Sequence, residues 1–148
     1  MTRQRAFTVI RCTLFWLCLA LVGYWAVDDA PPYEVMQYTV TNGRPGDRVT
    51  VDGAVKRDLS RDCTVDVRRY IVDSTGAEYE SVKQTLDLAA VRERERLNPG
   101  RVKFAATLPM MIKPGIARHV VALSWRCNPL HYIFPVTRTI QYQFEVLP

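Results

Sequence analysis

The chain predicts an all-β fold class behind one N-terminal transmembrane α-helix, the β part being a seven-stranded antiparallel sandwich. Three observations carry this. Cys12 to Val27, CTLFWLCLALVGYWAV, is sixteen residues without a charge. From Tyr33 onward the pattern changes to apolar residues at alternate positions, in runs bounded by Gly, Pro, Asn and Asp, as half-buried strands require. Two cysteines, Cys63 and Cys127, lie in that second part, 64 positions apart.

The apolar run extends back over Arg11 to Phe7. At about 1.5 Å rise per residue, residues 7–27 make roughly 31 Å of helix, enough for a bilayer core of about 30 Å. Arg3, Arg5 and Arg11 precede or enter it, and no acidic residue occurs before Asp28. Excess basic charge stays on the cytoplasmic side, so the N-terminus is predicted inside and the C-terminal part outside. Arg11 lies near one end, where its stem carries the guanidinium back to the headgroups. A cleaved secretory signal is the competing reading. Against it, Tyr24 and Trp25 suit an interfacial aromatic belt, and neither Tyr24-Trp25-Ala26 nor Asp28-Asp29-Ala30 is a good small-x-small cleavage site. Both readings export everything from Asp28 onward.

The predicted organisation is a cytoplasmic basic tail (residues 1–6), the anchor (7–27), a stiff linker DDAPP (28–32) and one exported domain (33–148). The roughly 120 exported residues suit a single core. The net charge of +5 is largely a matter of the tail: three of the 20 basic residues precede Asp28 and all 15 acidic residues follow it, leaving the exported part at +2. No basic stripe or nucleic-acid motif is visible, so no nucleic-acid partner is expected.

The first strand is predicted over Tyr33–Thr41 with Met36, Tyr38 and Val40 on one face, ending at the turn Asn42-Gly43-Arg44-Pro45-Gly46-Asp47. The second covers Arg48–Lys56 and turns Val49, Val51 and Val55 inward. The third, Cys63–Val72, places Cys63, Val65 and Val67 inside, and a bulge at Arg68-Arg69 would bring Tyr70 and Val72 to the same face. After Asp73-Ser74-Thr75-Gly76 a fourth strand, Ala77–Leu88, presents Val82, Leu86 and Leu88. Ala89–Leu97 has helix-forming composition, stopped by Asn98-Pro99-Gly100. The fifth strand, Arg101–Leu108, aligns Val102, Phe104, Ala106 and Leu108. The loop Pro109–Gly115 leads to the sixth, Ile116–Cys127, which aligns His119, Val121, Leu123, Trp125 and Cys127. The seventh, Pro135–Leu147, puts Val136, Ile140, Tyr142, Phe144 and Val146 inside.

Seven such strands with these turn signals resemble an immunoglobulin-like Greek-key sandwich in architecture. Two features depart from a true immunoglobulin domain: no Trp follows Cys63 by a dozen or so residues, and Trp125 stands where the tyrosine corner would place Tyr. If strands alternate in direction, the loops Arg57–Asp62, Ala89–Gly100 and Asn128–Phe134 share the end next to the anchor. A Cys63–Cys127 disulfide, expected in an oxidising compartment, falls there too. Cys12 and Cys18, in the anchor, read as small apolar residues, with Cys12 a candidate for acylation.

The stretch Asn128-Pro129-Leu130-His131-Tyr132-Ile133-Phe134-Pro135 is unusual for a loop. Leu130, His131, Tyr132, Ile133 and Phe134 either fold back to cap the sandwich or form an apolar tip that contacts lipid or a partner. Catalytic chemistry is not visible. His119 and His131 have no partners at metal-ligand spacing, the Cys-x-Cys copper motif of some anchored oxidase-assembly proteins is absent, and no serine sits in a nucleophile elbow. Asp58, Asp62 and Asp66, alternating with Arg57, Arg61 and Arg68, read as a solvated charged edge.

The sequence therefore predicts a single-pass, non-enzymatic protein of the cytoplasmic membrane. Its periplasmic or extracellular sandwich acts as an interaction or assembly module, without cofactor or metal. Its expected partners are the lipid bilayer, through the helix, and a membrane or envelope protein. The alternative is a ligand or metal carrier, released or tethered, using a pocket near Trp125 and His131. Sixteen Arg against four Lys hint at a GC-rich genome of a bacterium or phage.

Overall fold

The structure, a computed structural model, describes residues 3–95 and 100–148. Helix α1 runs Arg3–Ala26 and contains a 20-residue stretch, Phe7–Ala26, long and apolar enough to cross a membrane. It starts four residues before the predicted anchor. Two antiparallel sheets follow. One has the order β1 (Tyr33–Val40), β2 (Arg48–Arg57), β5 (Arg101–Thr107). The other has β4 (Glu78–Asp87), β3 (Thr64–Val72), β6 (Gly115–Arg126), β7 (Val136–Val146). Short helices α2 (Leu88–Glu95) and α3 (Pro129–Ile133) cap connections at the end nearest α1. Of the predicted helix Ala89–Leu97 and its stop, Arg96, Leu97, Asn98 and Pro99 lie outside the described residues.

The inner faces of the two sheets meet in two apolar clusters. Near α1 the core joins Tyr33 and Val55 to Cys63, Val65, Val67, Leu88, Val121, Leu123 and Trp125. At the far end Val49, Ala106, Leu108 and Ile112 pack on Ile71, Ala117, Phe144 and Val146. Between them lies a layer of rings. Tyr38 stacks on Tyr142 at 4.1 Å between centroids and on His119 at 5.7 Å, while Phe104 tilts against His119 at 5.8 Å. Room for Tyr38 comes from Gly53, its cross-strand partner, because a Cβ there would lie 2.6 Å from the Tyr38 ring. A glycine in a strand interior is weak in itself, and here its lost side-chain packing is replaced by the neighbouring ring.

Two predicted faces need correction, and both corrections are bulges. In β1, Val35 pairs with Val55 and Gln37 with Ala54, so Met36 is the extra residue and is exposed. A bulge resets the two-residue alternation, which is why Tyr33 and Val35 face the core before it and Tyr38 and Val40 after it. The expected bulge at Arg68-Arg69 is instead in β4. Arg69 pairs with Val82 and Tyr70 with Glu80, leaving Ser81 unpaired, and the Ser81 hydroxyl donates to the Arg69 carbonyl at 3.1 Å. Strand β3 therefore keeps strict alternation against β6, so Ile71 and not Tyr70 faces the core, and Arg69 turns inward. Its guanidinium lies 4.3 Å from the Phe104 ring centroid, a cation-π contact that suits a cation held against an apolar interior.

The far-end turn Asp73–Gly76 is organised by one carboxylate. Asp73 Oδ1 accepts from the Thr75 amide (2.8 Å), the Thr75 hydroxyl (2.7 Å) and the Ala77 amide (3.0 Å), and Oδ2 from the Tyr79 hydroxyl (3.2 Å) and the Lys113 amide (3.3 Å). Gly76 supplies the positive φ of 90° that closes the turn. The Thr75 hydroxyl above all, and then the backbone amides, hold Asp73 far below the usual carboxylate range. A depressed carboxylate contributes stability above its unfolded value and loses it as pH falls below that value. Asp73→Ala is thus expected to lower the thermal midpoint at pH 7. The difference from wild type should shrink below about pH 4, where unfolded Asp titrates, as read by a calorimetric pH series.

Candidate functional site

At the end of the sheets nearest α1, the linker, the β2–β3 loop and α3 converge. Helix α1 has ended at Ala26, five residues before the Pro31-Pro32 pair that stiffens the linker, and the Pro32 carbonyl accepts from the Asp58 amide at 2.8 Å, seating the chain into β1. Asp28 then receives Arg61: Nη2 donates to Oδ2 at 2.5 Å while Nη1 donates to the Ala30 carbonyl at 3.0 Å. Both side chains are 23% exposed, so the pair is sheltered from full solvent screening. From the opposite side the Asn128 Nδ2 donates to the Trp25 carbonyl at 3.3 Å and to Asp28 Oδ2 at 3.4 Å. The last turn of a helix leaves carbonyls without intrahelical partners, and Asn128 satisfies one of them. Two loops far apart in sequence thus clasp the end of α1.

Asn128 also begins α3. Its backbone is extended, its Oδ1 accepts from the His131 amide at 3.1 Å, and Pro129 occupies the first turn, where a missing N–H costs nothing. The side chain of His131 turns inward: Nδ1 accepts from the Cys127 amide at 3.3 Å, Nε2 lies 3.2 Å from Asn128 Nδ2, and the residue is buried. Cys127 is bonded to Cys63, which fastens the start of β3 to the end of β6 in the same sheet, beside Trp125.

The structure divides the five predicted contact residues. His131 is interior and Leu130 half-buried, whereas Tyr132, Ile133 and Phe134 are each about two-thirds exposed (69%, 70% and 67%). What reads as a loop in the sequence is a single helical turn, and the turn is what throws these three side chains outward. Met110 and Met111, at the far end, are exposed as well.

The charges near the clasp also need correction. Arg61 is committed to Asp28 and Ala30, and Asp66 is held by Arg126 and by the Thr85 hydroxyl at 2.7 Å, so neither belongs to a merely solvated edge. Asp62 pairs with Arg92 at 3.1 Å in the open. In the sequence Asp28 reads only as a flank of the predicted anchor, so the clasp is not visible there, although Asn128-Pro129 is a recognisable helix-start signal. Arg61→Ala is expected to loosen the domain on α1 and to cost less than about 1 kcal/mol, the ordinary range for a partly exposed pair. Nitroxides at Leu21→Cys and Thr75→Cys, with Cys12 and Cys18 changed to Ser, would report this as a broadened distance distribution.

Among the described residues no three or more His, Cys, Asp or Glu side chains gather as a metal site. Among the described residues, two depressions lie on outer sheet faces, one lined by Gln37, Thr39, Asp52 and Arg101, the other by Arg68, Tyr70, Glu78 and Glu80. Neither is near Trp125 or His131.

No protein-family model matches the chain, and no characterised protein matches it in sequence. Among solved structures, the chain is similar to the Pseudomonas fluorescens alkylpurine DNA glycosylase AlkC bound to DNA containing an abasic site analog. The identity is 15% and the TM-score 0.42, over 80% of this chain and 31% of that one. The chain thus spans about a third of that protein, at a likeness too low to bear on fold family or activity.

Proposed function

We propose that the chain is a single-pass, N-in/C-out protein of the cytoplasmic membrane whose β domain, an immunoglobulin-like sandwich, serves as a non-catalytic interaction or assembly module outside the bilayer. The observation that carries this reading is the clasp of Arg61, Asp28 and Asn128 on the end of α1. It makes the domain a fixed extension of an apolar helix, so surfaces on the domain are held at set heights above the membrane. The immunoglobulin-like assignment is supported by the strand order β1-β2-β5 against β4-β3-β6-β7. It departs from antibody domains in that the disulfide joins two strands of one sheet. The Cys63–Cys127 bond itself supports an oxidising, exported location.

On this reading the exposed Met110 and Met111 offer a protein partner an adaptable apolar surface at the far end, and Tyr132, Ile133 and Phe134, the exposed part of the predicted Leu130–Phe134 contact loop, form the contact surface at the membrane end. Photoreactive residues at Met111 and Tyr70, activated in intact membranes and followed by mass spectrometry, test the module. A discrete protein adduct supports it. Adducts at neither position, with the domain folded and exported, would overturn it.

A further inference from the structure

We infer that Tyr132, Ile133 and Phe134 form a second membrane contact, inserted into the headgroup and acyl boundary of the same leaflet from which α1 emerges. The inference rests on the anchoring part of the proposed function. Three observations lead to it. The hydrogen bond from Asn128 Nδ2 to the Trp25 carbonyl sets the start of α3 beside the last turn of α1. That turn carries Tyr24, 68% exposed, and Trp25, the amphipathic rings that settle at a membrane-water interface. The level of the tip is therefore the level at which the helix leaves the hydrocarbon.

Next, the tip is chemically suited to that level. The segment 128–135 contains no acidic or basic side chain apart from His131, which faces the interior. Far-end turns, by contrast, carry Arg44, Asp47, Asp73 and Lys113. Three consecutive large apolar or aromatic side chains about two-thirds exposed form a contiguous patch of the kind that marks contact with lipid or protein. Lipid is favoured because α3 contacts α1, whose own large apolar side chains are exposed.

Finally, the tip is braced. The disulfide at Cys127, the Asn128 cap and the bond from the Phe134 amide to the Leu130 carbonyl at 2.9 Å hold its backbone, so little order has to be gained on insertion. Together with α1 it gives the domain two points of attachment, which fixes its tilt as well as its height.

The test places a polarity-sensitive fluorophore at Ile133→Cys in the full chain, with Cys12 and Cys18 changed to Ser. The protein is reconstituted in phosphatidylcholine and phosphatidylglycerol vesicles containing lipids brominated near the headgroup. Tyr24→Cys and Thr75→Cys labels serve as interfacial and far-end references, and near-ultraviolet circular dichroism checks folding. The expected result is a blue-shifted emission at position 133 with quenching comparable to that at 24, and little at 75. Quenching at 133 no greater than at 75, with 24 quenched, overturns the inference and leaves the anchor intact. Absence of quenching at 24 overturns the anchor and this inference with it. A water-like label at 133 that instead crosslinks to a protein in native membranes overturns the lipid contact in favour of a protein surface.

Discussion

Opening the Cys63–Cys127 bond is expected to cost roughly 4 kcal/mol, because in the chain-entropy view the bond closes a 64-residue loop in the unfolded chain. For a domain of this size that is a large share of a total stability of about 5–15 kcal/mol. The corresponding fall in thermal midpoint is about 15 °C, at roughly 4 °C per kcal/mol. The loss is not confined to entropy. Cys63 is 1% exposed and packs with Val65, Leu123 and Trp125, and the Leu88 amide donates to the Cys63 carbonyl at 3.1 Å. Cys127 supports α3 through the bond from its amide to His131. A Cys63→Ala, Cys127→Ala double variant in detergent micelles, followed by denaturation with and without reductant, measures this. The double variant should unfold at the lower midpoint regardless of reductant. Wild type should fall to the same value only when reduced. If wild type is insensitive to reductant under conditions that open the bond, the core alone is holding that end together. Because the bond braces the clasp as well as the core, the variant should also release the tip at Tyr132–Phe134. Protease cutting near Phe134 should then rise before global unfolding.

How much of this could be read in the chain depends on the range of the interaction concerned. The apolar helix, the seven strands and their order along the chain follow from local alternation and turn chemistry, and β2, β5 and β7 lie within a residue or two of their predicted limits. The inward set of β7 is local too: Arg138 alone breaks the apolar two-residue period, and the pairing with β6 runs without a bulge. Met36 and Tyr70 were assigned to the wrong face for one reason. A bulge is decided by pairing with a partner strand, and the extra residue at Ser81 compensates on β4 for what looks like an interruption in β3. Short-range pattern has no means of assigning a register slip to one strand or the other. The same limit hid Arg69, whose inward position is tolerable only because Phe104 arrives from the other sheet. In the candidate site, the apolar character of Leu130–Phe134 was legible, whereas the division into interior His131 and exposed Tyr132, Ile133 and Phe134 required the helical turn that Asn128 caps. The clasp joins Trp25, Asp28, Arg61 and Asn128 across up to 103 positions, and no spacing rule connects them.

Acid is expected to weaken the sandwich through its middle layer, and His119 is the group responsible. Burial foremost, with the neighbouring Arg69 guanidinium second, pushes its imidazole down from 6.5 to about 4. The residue is 1% exposed, and neither ring nitrogen has a hydrogen-bond partner among the described residues. Above pH 6.5 the ring is neutral folded and unfolded, and His119 adds no pH dependence. Between 6.5 and about 4 the unfolded chain takes up a proton that the folded chain refuses, so stability falls with pH by about 1.4 kcal/mol per unit. Below that window both states are protonated and the loss, about 3 kcal/mol, is complete. Among the described residues no carboxylate offsets this: the rings packed on the imidazole are Tyr38 and Phe104, and the nearby charge is Arg69. Burial also raises the Tyr38 phenol, which therefore stays neutral throughout. His119→Phe keeps a ring in the layer while removing two buried nitrogens that lack partners, a change that tends to be neutral or stabilising when shape is preserved. The variant should match wild type near pH 7.5 and exceed it by about 3 kcal/mol near pH 4, leaving the remaining acid lability to carboxylates that the fold holds low, Asp73 through Thr75 and Asp58 through Ser60, below the unfolded carboxylate range. Urea titrations of both proteins across pH 4 to 8 check this. Parallel stability curves would show that His119 takes up its proton without penalty and that the ring layer admits water.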